Sequence, residues 1–144
     1  LKDDSIMREL AHLNQVLERE ARADGGATGV SLALAILASH EEAIAEGFAS
    51  RLLTQAELAD IVGVRPQSMG AMIAAMEQEG LVLRDPFEQD RRVHLLRLTD
   101  KGRAAAQEAR DRQRAFAEKK LSVLSDEEKR QFADIVTKLN ASLG

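Results

Sequence analysis

Three residues, Gly63, Pro66 and Gly80, punctuate the middle of this chain and constrain its fold more than any other feature. The stretch before Gly63 reads LTQAELADIVGV, with Thr54 and Glu57 at capping-box spacing. At that spacing each side chain satisfies a backbone N–H at a helix start. Glycine ends this helix. Pro66 stands at the first-turn position that a helix tolerates, and Gly80 where a left-handed C-cap is wanted. The punctuation predicts a helix opened by Thr54 and a second over Pro66–Glu79, joined by a turn of about three residues, which is a helix-turn-helix. Next comes LVLRDPFEQDRRVHLLRLT. Its two leucine-rich and β-branched runs, 81–84 and 93–98, flank a polar centre with Pro86 and predict a β-hairpin with a long tip. A helix-turn-helix followed directly by a hairpin is a winged helix, whose wing can reach the groove of DNA beside the one its second helix reads.

Helices flank this centre on both sides. Ile6, Leu10, Leu13 and Leu17 recur at helical spacing and predict an amphipathic helix over 4–23. DGGATG, Asp24–Gly29, breaks it. VSLALAILASHEEAIAEGF predicts a second helix, buried through Leu37 and ending near Gly47, with 48–53 as a short strand or a loop. Thr99 caps a long helix from about Asp100 to about Lys120. Ser125 and Glu128 form a second capping box, opening a last helix with Phe132, Ile135, Val136, Leu139 and Leu143 on one face. The expected fold class is mostly α with a small β-hairpin wing: a winged helix-turn-helix flanked by N- and C-terminal dimerisation helices. The expected divisions are 1–30 for the N-terminal dimerisation helix, 31–102 for the winged module and 103–144 for the C-terminal dimerisation helices. Helices that extend beyond a small winged module cannot all bury their apolar faces within one chain, so a homodimer is expected on physical grounds.

Composition excludes several classes. With 144 residues, 44% hydrophobic and 31% charged, the chain has a soluble globular profile. No apolar run approaches the roughly 20 residues of a membrane span, and no stretch has the shape of a signal peptide. The absence of cysteine excludes disulfides and thiolate metal sites and fits a cytoplasmic location. Four phenylalanines, with no Trp or Tyr, leave little for stacking on single-stranded bases. His12, His40 and His94 are scattered without metal-ligand spacing, so no metal or other cofactor is expected. No phosphate-cradling glycine loop or nucleophile motif points to an enzyme. The net charge of −4 is unevenly spread: residues 1–64 carry −6, while 65–103 and 104–144 each carry +1. This permits local contact with a polyanion.

The stretch LTQAELADIVGVRPQSMGAMIAAMEQEGLVLRDPFEQDRRVHLLRLTDKG, Leu53 to Gly102, resembles the MarR family of transcription regulators. LTQAELA, the EGLV helix exit, and DRR followed by LRLTDKG carry the resemblance. It implies a homodimer with interleaved terminal helices and two winged modules on a near-palindromic duplex. For many members it also implies a repressor released by a small aromatic or phenolic acid. This chain departs from the pattern twice. Ala71 and Ala75 stand where many members place basic residues on the outer face of the helix from Pro66, and the 39–53 segment leading up to Thr54 is long.

The candidate site follows from residue types. On the helix from Pro66, Met69, Met72, Ile73 and Met76 share one face, expected to be core. Gln67, Ala71, Ala74 and Gln78 lie opposite, with Ser68, Gly70 and Ala75 beside them. Small side chains let such a face enter a major groove, where glutamine pairs with adenine and alanine touches a thymine methyl. The other reading buries the face against another helix; two glutamines and a serine count against a dry interface. Base reading is thus expected from Gln67, Ser68, Gly70, Ala71 and Ala74, and backbone contact from Gln55, Arg65, Arg91 and Arg92. Arg91 and Arg92 suit a narrowed minor groove or a phosphate, and Asp90 is expected to pair with one of them and support the wing. By resemblance, His12 and His40 border the effector site. The expected function is a sequence-specific, double-stranded-DNA-binding transcription regulator, a ligand-responsive repressor acting as a homodimer. The alternative is a small-molecule sensor or protein-interaction module of the same fold with weak or no DNA binding.

Overall fold

The computed structural model describes residues 2–24 and 29–143. In chain order it contains α1 (Asp3–Ala23), α2 (Gly29–Ala45), α3 (Gln55–Val62), α4 (Pro66–Gln78), β1 (Val82–Pro86), β2 (His94–Leu98), α5 (Asp100–Lys120) and α6 (Asp126–Leu143). Most of the expected break at Asp24–Gly29 lies at 25–28, outside the described residues. The chain divides into two compact units, one ending at Arg112 and the other beginning at Gln113, within α5.

The first unit is built around the winged module. Thr54 Oγ1 accepts the Glu57 N–H at 3.2 Å, and Glu57 Oε1 accepts the Thr54 N–H at 3.0 Å, so both halves of the capping box form. α4 begins with Pro66 at its first turn. It ends in a Schellman motif: the Gly80 N–H reaches the Glu77 carbonyl at 3.0 Å and the Leu81 N–H reaches Met76 at 2.8 Å. This geometry needs the left-handed backbone of Gly80, at φ 74. Leu81 then turns inward and starts the hairpin. β1 and β2 pair antiparallel from Val82↔Leu98 to Pro86↔His94. Val82, Leu96 and Leu98 point into the core, where they meet Leu34 and Leu37 of α2, Leu58 of α3, and Met69, Ile73 and Met76 of α4.

Residues 48–53 form a loop rather than a strand. The loop nevertheless ends by pairing with the sheet: Thr54 bridges Leu95, and the Leu53 carbonyl accepts the Leu96 N–H at 2.9 Å. Thr99 ties α5 to the hairpin. Its hydroxyl donates to the Gly80 carbonyl at 2.6 Å and accepts the Gly102 N–H at 2.9 Å. Two ion pairs hold α5 to α2, Arg103 with Glu41 at 3.3 Å and Arg110 with Glu42 at 2.6 Å.

In the second unit Ser125 and Glu128 exchange the expected pair of bonds, at 2.9 and 3.1 Å, and open α6. Neither α1 nor α6 contains a buried residue. Ile6, Met7, Leu10 and Leu13 stand exposed on α1, and Phe132, Ile135, Leu139 and Leu143 on α6. Among the described residues, no helix is long and apolar enough to cross a membrane.

Candidate nucleic-acid interface

The two faces of α4 separate as the periodicity predicts. Met69, Ile73 and Met76 are at most 1% exposed, and Met72 is partly buried against the core. Gln67, Ser68, Ala71, Ala74, Ala75 and Gln78 are all exposed. Among the described residues, therefore, no helix buries this face. Gly70 is half-buried where α4 meets the start of α3; a Cβ there would lie 3.2 Å from the Gln55 amide nitrogen. Gln55 opens α3 directly after its Thr54 cap and is itself half-buried.

The wing tip turns on short internal bonds: the Asp90 N–H donates to the Phe87 carbonyl and the Val93 N–H to the Asp90 carbonyl, both at 3.1 Å. Asp90 accepts from Arg92 three times, from its backbone N–H at 3.0 Å and from Nε and Nη2 at 3.2 Å. These bonds from Arg92, the side chain's first, hold the Asp90 carboxyl below its usual range. The Arg92 side chain is 90% exposed even while paired, so Asp90 orients it without covering it. Arg91 is exposed beside it, and Arg65 is exposed at the N-terminus of α4. Neither forms an ion pair among the described residues.

A groove of about 630 Å³ runs between the start of α3, Pro66 at the start of α4, and the wing. Arg51, Gln55, Arg84, Phe87 and Arg92 line it. Arg51 and Arg84 were not among the residues expected from sequence. Arg84 sits on β1 and pairs with Glu77 of α4 at 2.7 Å; the alternation of β1, which puts Arg84 opposite Leu96, offered no charge pattern to find it. Arg51 lies in the loop before α3, where no periodicity applies. Its guanidinium grips Glu57, with Nη1 donating at 2.7 Å and Nη2 at 3.3 Å. That bond is the main reason the Glu57 carboxyl falls to about 2; those to Thr54 contribute further.

The two histidines stand apart from this surface in the sequence of elements. His12 is exposed on α1. His40, on α2, donates from Nε2 to the Arg51 carbonyl at 2.7 Å, which commits one ring nitrogen to the loop. Among the described residues no group of His, Asp or Glu is arranged to hold a metal ion.

Fold and site together define a winged helix-turn-helix protein in which α4 exposes a face of amides and small residues and the wing bears arginines. The model of the MarR family matches residues 32–94, from α2 to the start of β2, a stretch that takes in the helix-turn-helix and the wing tip. YdgJ of Bacillus subtilis, an HTH-type transcriptional regulator, is 24% identical over 142 residues, 99% of this chain and 81% of YdgJ. The HTH-type transcriptional repressor MdtR of the same organism is 36% identical over 87 residues, which span 60% of this chain and just over half, 56%, of MdtR. Among solved structures, a putative MarR-family regulator of Listeria monocytogenes complexed with a 26mer DNA superposes with a TM-score of 0.74. The match is 18% identical over 99% of this chain and 90% of that one, a likeness of fold.

Proposed function

We propose that this chain is a homodimeric repressor that binds a near-palindromic duplex, with α4 in the major groove and the wing at the minor groove. The observation that carries the reading is the exposed face of α4. It bears amides and small side chains, with charge confined to its flanks at Arg65 and at the Asp90-held Arg92. Gln67, Ser68, Gly70, Ala71 and Ala74 read bases, while Gln55, Arg65, Arg91 and Arg92 meet the backbone. Support comes from MdtR, a repressor, and from the DNA complex of the Listeria protein. The apolar faces exposed on α1 and α6 support dimerisation. Release by a small aromatic acid rests on the family resemblance, and a fall in duplex affinity on adding salicylate tests it.

Selection from a randomised pool of duplexes tests the DNA reading. An enriched near-palindrome, bound with log affinity falling linearly against log salt, is the expected result. Arg91→Ala with Arg92→Ala weakens binding to every duplex and flattens the salt slope, whereas Gln67→Ala changes which duplex is preferred. The sensor reading is favoured by one observation: Arg51, Arg84 and Arg92 are already paired with carboxylates. Absence of any binding at low salt would sink the DNA reading and favour the sensor.

A further inference from the structure

Arg51 stands in the loop before α3, at a point where three elements meet. Its guanidinium carbon lies 5.2 Å from the centre of the Phe87 ring, at the root of the wing tip. The same group makes the two-pronged bond to Glu57 in the first turn of α3. Nη1 also donates to the Leu52 carbonyl at 2.9 Å. Behind it, the Arg51 carbonyl is held by His40 of α2. We propose that Arg51 is a positioning residue: it straps the wing tip to the start of α3 and so fixes the spacing between wing and α4.

The residue type fits the task. A guanidinium is planar, so its edge can meet a carboxylate with two donors while its face lies on an aromatic ring. An ammonium could neutralise Glu57 but has no planar edge to give it two parallel donors while its face lies on the ring. The placement fits as well. The sheet is anchored to the loop through Leu53 and Thr54, which pair with Leu96 and Leu95. Beyond Pro86 the bonds that shape the tip run between its own residues, from Phe87 to Val93. Arg51 adds a hold from outside the hairpin, and it takes that hold on the helix whose capping box sets the start of the helix-turn-helix. The consequence for binding rests on the DNA reading; the strap itself does not.

Two measurements on the whole chain test it. The first is amide hydrogen exchange without DNA. Arg51→Ala should speed exchange of the Asp90 and Val93 amides about two- to fivefold, the size of an exposed cation–π contact, with core amides such as Ile73 unchanged. Arg51→Lys, which keeps the charge beside Glu57, should loosen the tip as much and serves if the alanine variant folds poorly. Unchanged tip exchange in both variants overturns the proposal. The second is affinity for the duplex that the wild-type protein selects from the randomised pool, measured across salt. Arg51→Ala and Phe87→Leu should each weaken binding about two- to fivefold with the salt slope unchanged, and the double variant should be no weaker than either. A slope reduced by about one would show that Arg51 itself meets a phosphate, and additive losses would show that the two residues act separately; either overturns the positioning role. If the wild-type protein selects no duplex, the DNA reading falls and the exchange result alone decides the strap.

Discussion

Gly70 and Gly102 both lie inside helices, where glycine is about 1 kcal/mol less favourable than alanine, and their neighbours give them opposite consequences. A Cβ at Gly102 would overlap the Leu81 carbonyl, the group that accepts the Thr99 N–H at 3.0 Å. Backbone held by such a bond cannot swing aside, so Gly102→Ala is expected to lose about 1–3 kcal/mol despite its better propensity. A Cβ at Gly70 would instead press the end of a flexible glutamine side chain. Gly70→Ala is expected to gain up to about 1 kcal/mol. Urea unfolding of the two variants checks both signs; stabilisation by Gly102→Ala would mean that α5 can slide off the hairpin. Gly102 stood in the sequence only as part of LTDKG. The reason for it comes from the far side of the hairpin and has no local signature, whereas Met69, Ile73 and Met76 announce their burial by spacing alone.

At the scale of elements, what was legible was what is local. The Thr54–Glu57 and Ser125–Glu128 boxes, the proline start of α4 and the glycine exit at Gly80 each involve residues within one turn, and each forms as written. The loop at 46–53 was not legible, because its order comes from Leu95, Leu96, Phe87 and His40, all distant in the chain. The wing was legible in outline and in its Asp90–Arg92 pair, but not in its tie to Arg51. The start of α3 yields a pH prediction. Glu57 is held as a carboxylate down to about 2. A carboxyl lowered on folding contributes stability that is full above its unfolded value of about 4.3 and is lost as pH falls toward the folded one. Glu57→Gln is therefore expected to cost about 1 kcal/mol at pH 7, the size of a cap. Thermal melts between pH 5 and pH 2 should show that deficit shrinking as the wild type loses its charge; a deficit constant over that range would mean that the carboxylate does not support the cap.

At the scale of the molecule, the exposed apolar stripes of α1 and α6 set the expectation for assembly. Each needs a cover, and on the proposed reading a second copy of the chain would supply it. Leu10→Glu on α1 and, separately, Leu139→Glu on α6 are expected to move the protein from dimer to monomer in sedimentation equilibrium and to abolish tight binding to a palindromic duplex. Two variants that both remain dimeric would place the dimer interface elsewhere. The acidic surplus of residues 1–64 belongs to the same scale, because it sets the field a polyanion meets before any side chain touches it.

On the DNA reading, that field and the bare outer face of α4 would together govern how the protein finds its target. Generic attraction to duplex comes almost wholly from cations facing phosphates, and here most cations around the groove already face carboxylates. A regulator built this way would have little grip on unmatched sequence. It would travel by repeated short encounters rather than by long one-dimensional sliding, and its dwell time would grow only where bases complement Gln67 and its small neighbours. Its occupancy in a cell would then be limited less by sequestration on the bulk chromosome than by the rate of productive first contact.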